Sequence, residues 1–321
     1  MTVETPPQPP IRPVTRPLRG IGLKLASVLV FIVMAAIIKV TAPHVPAGEV
    51  VFFRSFFAIP VIVVWLTMRR ELASGFRTAN PAGHVWRGMM GTLAMGLGFA
   101  GLGYLPLPEV TAIGYAAPLL TVIFAAMFLG EQVRMFRITA VALGLAGVLI
   151  VLSPRLTLLD PDTASHREAF GAMLVLGGAV FAALAQVFVR KLVMTETTPT
   201  IVFWFSVTAT CLSLATVPFG WVWPTPLETV LLVLAGLMGG VGQILLTSSY
   251  READASLLAP FDYASMLFAL AIGYFAFAEV PTITMLAGAV LVVTAGILII
   301  WRERQLGLER ARQRKSMTPQ G

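Results

Sequence analysis

The chain has 321 residues, a formal net charge of +7, 57% hydrophobic and only 12% charged residues, and a mean hydropathy of +0.84. A soluble protein of this size needs far more charge to cover its surface, so composition points to a membrane protein. A basic balance could suit nucleic acid, but its distribution argues otherwise. If the N-terminus lies inside, 19 of the 23 Lys and Arg residues fall in segments on that side, and only Arg155 and Arg167 on the other. That is the positive-inside pattern, with both termini cytoplasmic and no nucleic-acid partner.

Residues 1–20 carry six prolines and little apolar content, which predicts a disordered cytoplasmic leader. The first apolar run is long enough to span and lacks a cleavage site, so it reads as a helix and not as a signal peptide. Ten apolar blocks follow at 21–42, 48–68, 83–104, 109–129, 134–153, 170–190, 199–219, 227–249, 256–278 and 281–301. Each is close to the roughly 20 residues that cross about 30 Å of hydrocarbon as a helix. The tail 302–321 is basic; it either prolongs the last helix against anionic lipid or serves as a solvated topology anchor.

Polar residues inside such blocks are costly and functional by default. Lys39 ends block 1 and Arg54 lies in block 2, while Glu49 and Glu109 begin blocks 2 and 4. These four form either an outer gate or a fixed ion-pair cluster, and Lys39 could also snorkel. Gly96, Gly98 and Gly101 make a literal GxGxxG inside block 3, where helix packing explains them better than a dinucleotide. Block 4 continues with Thr111, Tyr115 and Pro118, and the proline suits a hinge or cavity wall. Gln186 and Arg190 share a face of block 6; Gln243, Thr247 and Tyr250 make a polar stripe in block 8. Block 9 carries Pro260, a second hinge candidate, with Asp262, Tyr263 and Ser265 beside it. Asp262 reads either as a proton carrier in a low-dielectric interior or as the permanent partner of an Arg or Lys. Together these residues predict a polar cavity, with interhelical hydrogen bonding as the blander reading of any one of them.

Other chemistry finds no support. There is no Walker lysine motif; His44, His84 and His166 lack metal-ligand spacing; Cys211 stands alone. The expectation is a non-enzyme without cofactor or metal. A membrane-embedded enzyme would need a nucleophile or metal constellation, and a non-transporting receptor would have no use for buried polar stripes.

The blocks also repeat. Glu131 lies in FLGEQV and Glu279 in FAFAEVP, and 279 − 131 = 148; Tyr115 and Tyr263 share that spacing, 263 − 115 = 148. Five spans is an odd number, so a duplicated unit enters the membrane from the opposite side the second time. The expected fold is therefore all-α, ten transmembrane helices in two inverted repeats, 21–153 and 170–301, joined by an external loop 154–169 around a central cavity. Glu131 and Glu279 then lie at opposite faces, where they pin turns.

The stretch WRGMMGTLAMGLGFAGLGYLPLPEVTAIGYAAPLLTVIFAAMFLGEQV resembles the signature of the EamA branch of the drug/metabolite transporter superfamily. Arg87-Gly88, Tyr104-Leu105-Pro106, Pro118 and Gly130-Glu131 carry the likeness, with Arg54 in FFRSFFA and the second FAEVP, over about residues 20–301. The resemblance implies ten helices in inverted repeats and alternating-access transport of a small molecule without ATP. Glu109 and Asp262 depart from the family pattern, which makes them candidates for selectivity or for particular ion pairs; Asp262 aligns with Gly114 and Arg54 with Trp204. FFRSFFAIP and LKLASVLVFIVMAAIIK look more like the bacterial riboflavin-uptake members than the amino-acid exporters, implying uptake of riboflavin or a similar flat heterocycle across a bacterial inner membrane. Tyr115, Phe261 and Tyr263 would offer ring faces, Gln186 and Gln243 amides. Export of aromatic amino acids or other metabolites is the alternative. A homodimer is possible but not evident from the sequence.

Overall fold

The structure is a computed structural model that describes residues 17–129, 135–155, 163–253 and 255–316. The described residues are helical with short connections. The helices are α1 (Pro17–Thr41), α2 (Ala47–Phe56), α3 (Ala58–Met68), α4 (Leu72–Phe76), α5 (Pro81–Leu102), α6 (Leu107–Gly114) and α7 (Ala116–Leu129). They continue as α8 (Met135–Leu152), α9 (Thr163–Leu192), α10 (Thr198–Leu214), α11 (Pro226–Glu252), α12 (Ala255–Leu258), α13 (Ala264–Phe277) and α14 (Ile283–Ser316). In hydrocarbon every backbone N–H and C=O must be satisfied within the segment, which is why long apolar runs become helices. Among the described residues, seven helical segments are long and apolar enough to cross a membrane, and two shorter apolar helices, Ile138–Leu152 and Pro199–Leu214, accompany them.

Local chemistry sets the ends. Asn80 accepts from Gly83 N–H to cap α5, and Thr225 and Glu228 form a reciprocal capping box at the start of α11. α10 stops at Leu214, short of the 219 expected, because Thr216 bonds back to the Ser213 carbonyl and Pro218 cannot continue the helix. α1 begins at Pro17, inside the expected leader, and α14 runs to Ser316, so the basic tail prolongs the last helix. Glu131 lies outside the described residues.

Two crossings are interrupted at matching places. Pro118 is the third residue of α7; its ring opposes the carbonyl four residues back, at Gly114, where α6 ends. The other crossing runs through α12 and a 3-10 turn, Ala259–Tyr263, which contains Pro260, before α13 begins. α7 and α13 thus start at Ala116 and Ala264, and 264 − 116 = 148. The breaks fall at Tyr115 and around Tyr263, just before the restarts.

Packing is close and uses small residues, since lipid tails offer helices no hydrophobic drive to associate. α1 lies along α11, α5 along α9 and α8 along α14. At the α8–α14 crossing a Cβ added to Gly147 would sit 2.8 Å from the Gly288 carbonyl oxygen. Ser27 donates to the Gly242 carbonyl at 2.8 Å, locking α1 onto α11. Outside the spans, the Glu196 side chain is 4% exposed in the α9–α10 connection and ties it to the start of α5. Burial pushes its carboxyl up, but the Thr78 hydroxyl and the Ala79 and Asn80 amides outweigh this and hold it below the ordinary value.

Two outcomes follow. Gly147→Val forces α8 and α14 apart and should cost about 1–3 kcal/mol, read as a lowered unfolding midpoint in detergent. Glu196 has a depressed folded pKa, so its stabilisation is present above its ordinary value of 4.5 and is lost as pH falls through the folded value. Glu196→Gln should flatten the acid limb of the midpoint-versus-pH curve; an unchanged limb would show that another group controls it.

Candidate functional site

The two ends of the helix array differ. At the end where α1 finishes, Lys39 Nζ is 2.9 Å from Glu279 Oε1 and donates to the Leu105 carbonyl at 2.6 Å and the Leu102 carbonyl at 3.3 Å. Glu279 Oε2 accepts from Leu107 N–H at 2.9 Å. Its position follows from the end of α13: Ala278 adopts φ 54°, and the Ala278 and Glu279 N–H groups both reach the Gly273 carbonyl, a left-handed helix stop that sets where the carboxylate leaves the chain. Nearby, Glu49 Oε2 accepts from Val222 N–H at 3.1 Å, and His44 lies 3.0 Å from Glu228. The end is laced shut.

The expected four-residue cluster therefore divides. Lys39 turns to Glu279, Glu49 to the connection before α11, and Glu109 is buried at the start of α6. Arg54 has no acid. Its guanidinium carbon lies 5.8 Å from the Phe205 ring centre, and that of Arg87 lies 3.5 Å from the same ring. Glu49 and Arg54 are five residues apart on α2, roughly 140° around the helix, so they face different ways although their depth is similar.

At the end where α1 begins, a cavity of about 580 Å³ opens between α1, α6–α7, α9, α11, the turn before α13, and α14. That volume falls within the usual range for small-molecule sites. Lys24, only 2% exposed, reaches Asp262 Oδ1 at 2.6 Å, and Asp262 is 51% exposed to the opening. Lys24 Nζ also donates to the Tyr250 hydroxyl at 3.3 Å and lies 5.2 Å from that ring centre. Asp262 is thus a paired, half-exposed carboxylate, not a carboxyl isolated in the interior.

Tyrosines make one wall. Tyr115 and Tyr263 meet edge to face with ring centres 5.0 Å apart, and the Tyr115 hydroxyl lies 2.6 Å from Ser265 Oγ. Tyr263 can lie against α14 because position 296 is Gly; a Cβ there would occupy the space of the tyrosine ring. Gln186 and Pro118 also line the cavity, whereas Gln243 and Thr247 do not, Thr247 spending its hydroxyl on the Gln243 carbonyl. Pro260 lies in the turn that presents Asp262 and Tyr263. Of the polar stripe on α11 only Tyr250 faces the cavity. The residue that sequence reasoning missed is Lys24; its signal was a charge inside the first apolar block, which was assigned to topology.

A paired cation and anion at the mouth of a tyrosine-lined cavity in a helical membrane array fits solute binding. A family model described as the EamA-like transporter family matches residues 18–153 and 169–301. The chain belongs to the EamA-like transporter family. This EamA-like chain is 33% identical over 284 residues to the pseudopaline exporter CntI of Pseudomonas aeruginosa, covering 87% of this chain and 95% of the relative. It is 27% identical over 288 residues to the S-adenosylmethionine uptake transporter of Rickettsia bellii, covering 89% and 94%. With the riboflavin transporter of Rhizobium johnstonii it shares 28% over 262 residues, covering 80% and 82%. A solved structure described as "Crystal structure of protein" has the same fold, with a TM-score of 0.62, 20% identity and coverage of 89% of this chain and 98% of that one. Family, helices and relatives agree on a multi-pass membrane transporter.

Gly296→Ala tests the wall of this EamA-like cavity. The added methyl displaces Tyr263, and transport should fall about tenfold, equivalent to ~1.4 kcal/mol, while size-exclusion profiles stay monodisperse. Full transport would show that Tyr263 is not needed where it lies.

Proposed function

We propose that the chain is a secondary transporter of ten crossings in two inverted repeats, with both termini cytoplasmic, whose cavity takes a zwitterionic metabolite bearing a flat ring. The helix pairing supports the architecture. Counting crossings within each repeat, α1 with α11 joins the first of one to the third of the other, and α5 with α9 joins third to first. α8 with α14 joins fifth to fifth, so the contacts map onto themselves when the repeats are exchanged. The cavity then faces the cytoplasm, and the Lys39–Glu279 end closes the outside.

The observation that carries the substrate reading is the Lys24–Asp262 pair at 2.6 Å. A buried ammonium without an anion is costly, and Lys24 meets that cost by pairing with Asp262. A solute with its own ammonium and carboxylate replaces one ion pair by two, carboxylate to Lys24 and ammonium to Asp262, and brings no unpaired charge into the membrane. The ring faces of Tyr115, Tyr250 and Tyr263 suit a flat heterocycle or an indole. S-adenosylmethionine, the solute named for one relative, has both parts, an amino-carboxylate head and an adenine ring, and adds a sulfonium cation that would lie against the tyrosine faces. A neutral flavin-like solute is the second reading, favoured by the same tyrosines and by Gln186, and it makes no demand on the ion pair.

Counterflow in proteoliposomes separates the two. Labelled S-adenosylmethionine or tryptophan should exchange saturably against its unlabelled form, and Lys24→Gln and Asp262→Asn should each lower exchange at least tenfold. Saturable riboflavin exchange that survives both substitutions would falsify the zwitterion reading and support the flavin one.

A further inference from the structure

Away from the cavity, the interface of α2, α5 and α10 holds a different kind of polar group. Among the described residues, every buried side-chain nitrogen or oxygen without a hydrogen-bond partner lies on these three helices: on Arg54, Ser55, His84, Arg87, Thr92 and Trp204. Arg54 is 7% exposed, and its Nε and the Nε and Nη1 of Arg87 are shut off from solvent. Both guanidiniums gather at the one Phe205 ring, and they lie close enough to repel each other. Among the described residues neither is in an ion pair with a carboxylate. The acid nearest to this cluster is Glu196, which is engaged with Thr78, Ala79 and Asn80 and lies 3.6 Å from His84.

Two cations in a low-dielectric interior with ring contacts but no anion are far from neutral. A guanidinium presents a planar fork of donors that matches two oxygens of a carboxylate or phosphate. The surroundings hold these forks close: a Cβ on Gly239 would lie 3.2 Å from Arg54 Nε, and one on Gly91 would lie 2.7 Å from the Phe205 ring edge. Arg54 and Phe205 each stand seven residues inside the start of their helices, and Arg87 six, about 10 Å from the end. Gly239, beside Arg54, is seven residues from Leu246, which lines the cavity, so the arginines lie about 10 Å deeper along α11.

We infer that Arg54 and Arg87 form an oxyanion site at mid-depth, distinct from the Lys24–Asp262 cavity, that takes the carboxylate or phosphate group of a small solute. Phe205 backs the two forks, while His84 and Trp204 supply further donors from the adjoining turns. In depth along α11 the site lies between the level of the open cavity and that of the closed end. The inference does not depend on which solute the outer cavity takes.

The test is binding, not transport, so its failure leaves the zwitterion reading standing, and failure of counterflow leaves this one standing. Purified protein in a neutral detergent is titrated with succinate and with inorganic phosphate at constant ionic strength, following tryptophan emission and the unfolding midpoint. At least one anion should give a saturable change in both signals. Arg54→Gln and Arg87→Gln should weaken it tenfold or more, and Arg87→Lys, which keeps the charge but loses the fork, should weaken it while preserving the fold. An equal response to chloride alone, or an undiminished response in Arg87→Lys and Arg54→Gln, overturns the inference. So does a midpoint shift obtained only with phosphatidylglycerol in nanodiscs and with neither soluble anion, which would assign the arginines to lipid.

Discussion

A cation carried on a helix into an apolar interior must find compensation there, because water is absent and the ion's desolvation cost is several kcal/mol. This chain meets that constraint in three ways. Lys39 has a carboxylate and two backbone carbonyls. Lys24 has a carboxylate, a phenol and a ring. Arg54 and Arg87 have a ring and no acid among the described residues. The first arrangement is saturated and fixed, the second is satisfied but half-open to solvent, and the third is incomplete. In the proposed reading the first closes one end, the second exchanges solute and the third receives an anionic group.

The fixed pair shows how local backbone chemistry reaches the global shape. Ala278 takes a left-handed conformation that a residue with a Cβ adopts only at some cost. The turn is held because Glu279 N–H bonds to Gly273 and the Glu279 carboxylate bonds to both Lys39 and Leu107 N–H. Three connections, after α1, before α6 and before α14, therefore meet in one ionic knot. Loosening it would free all three together, which is what a gate at that end requires. The breaks before Ala116 and Ala264 interrupt the same two crossings part-way along their length.

The sequence made the helices legible and part of the site. Apolar blocks bounded by Pro, Asn and Thr mark crossings because hydrocarbon length and backbone satisfaction leave few alternatives. The 148-residue spacing of Tyr115 and Tyr263 pointed to two residues that do meet in space. What failed was partner assignment. Lys24 and Asp262 are 238 residues apart in the chain (262 − 24), and nothing local says that α1 and the turn before α13 face one another. Lys39 and Arg54 looked like neighbours of Glu49 and Glu109 at similar depth, but depth fixes only one coordinate. The azimuth of each side chain is set by close helix contacts such as Ser27 on Gly242 and Gly147 on Gly288, and those emerge only from three-dimensional packing. Lys24, one of the two charges in block 1, carried the missing information; counting it toward topology concealed it.

In the proposed inverted arrangement, symmetry and chemistry occupy different residues. Tyr115 and Tyr263 are repeat-related and touch each other, so their contact can persist while the halves rock, and both restarting helices begin immediately after them. The charges are not duplicated: Asp262 aligns with Gly114, and 262 − 114 = 148. A symmetric pair of carboxylates would give the cavity an unpaired acid in one of its two states, whereas a single Lys24–Asp262 pair can close on itself whenever the solute has left. An empty carrier that must return across the membrane is helped by carrying no bare charge. Duplication thus provides the hinge, and the departure from it provides a neutral, reloadable site.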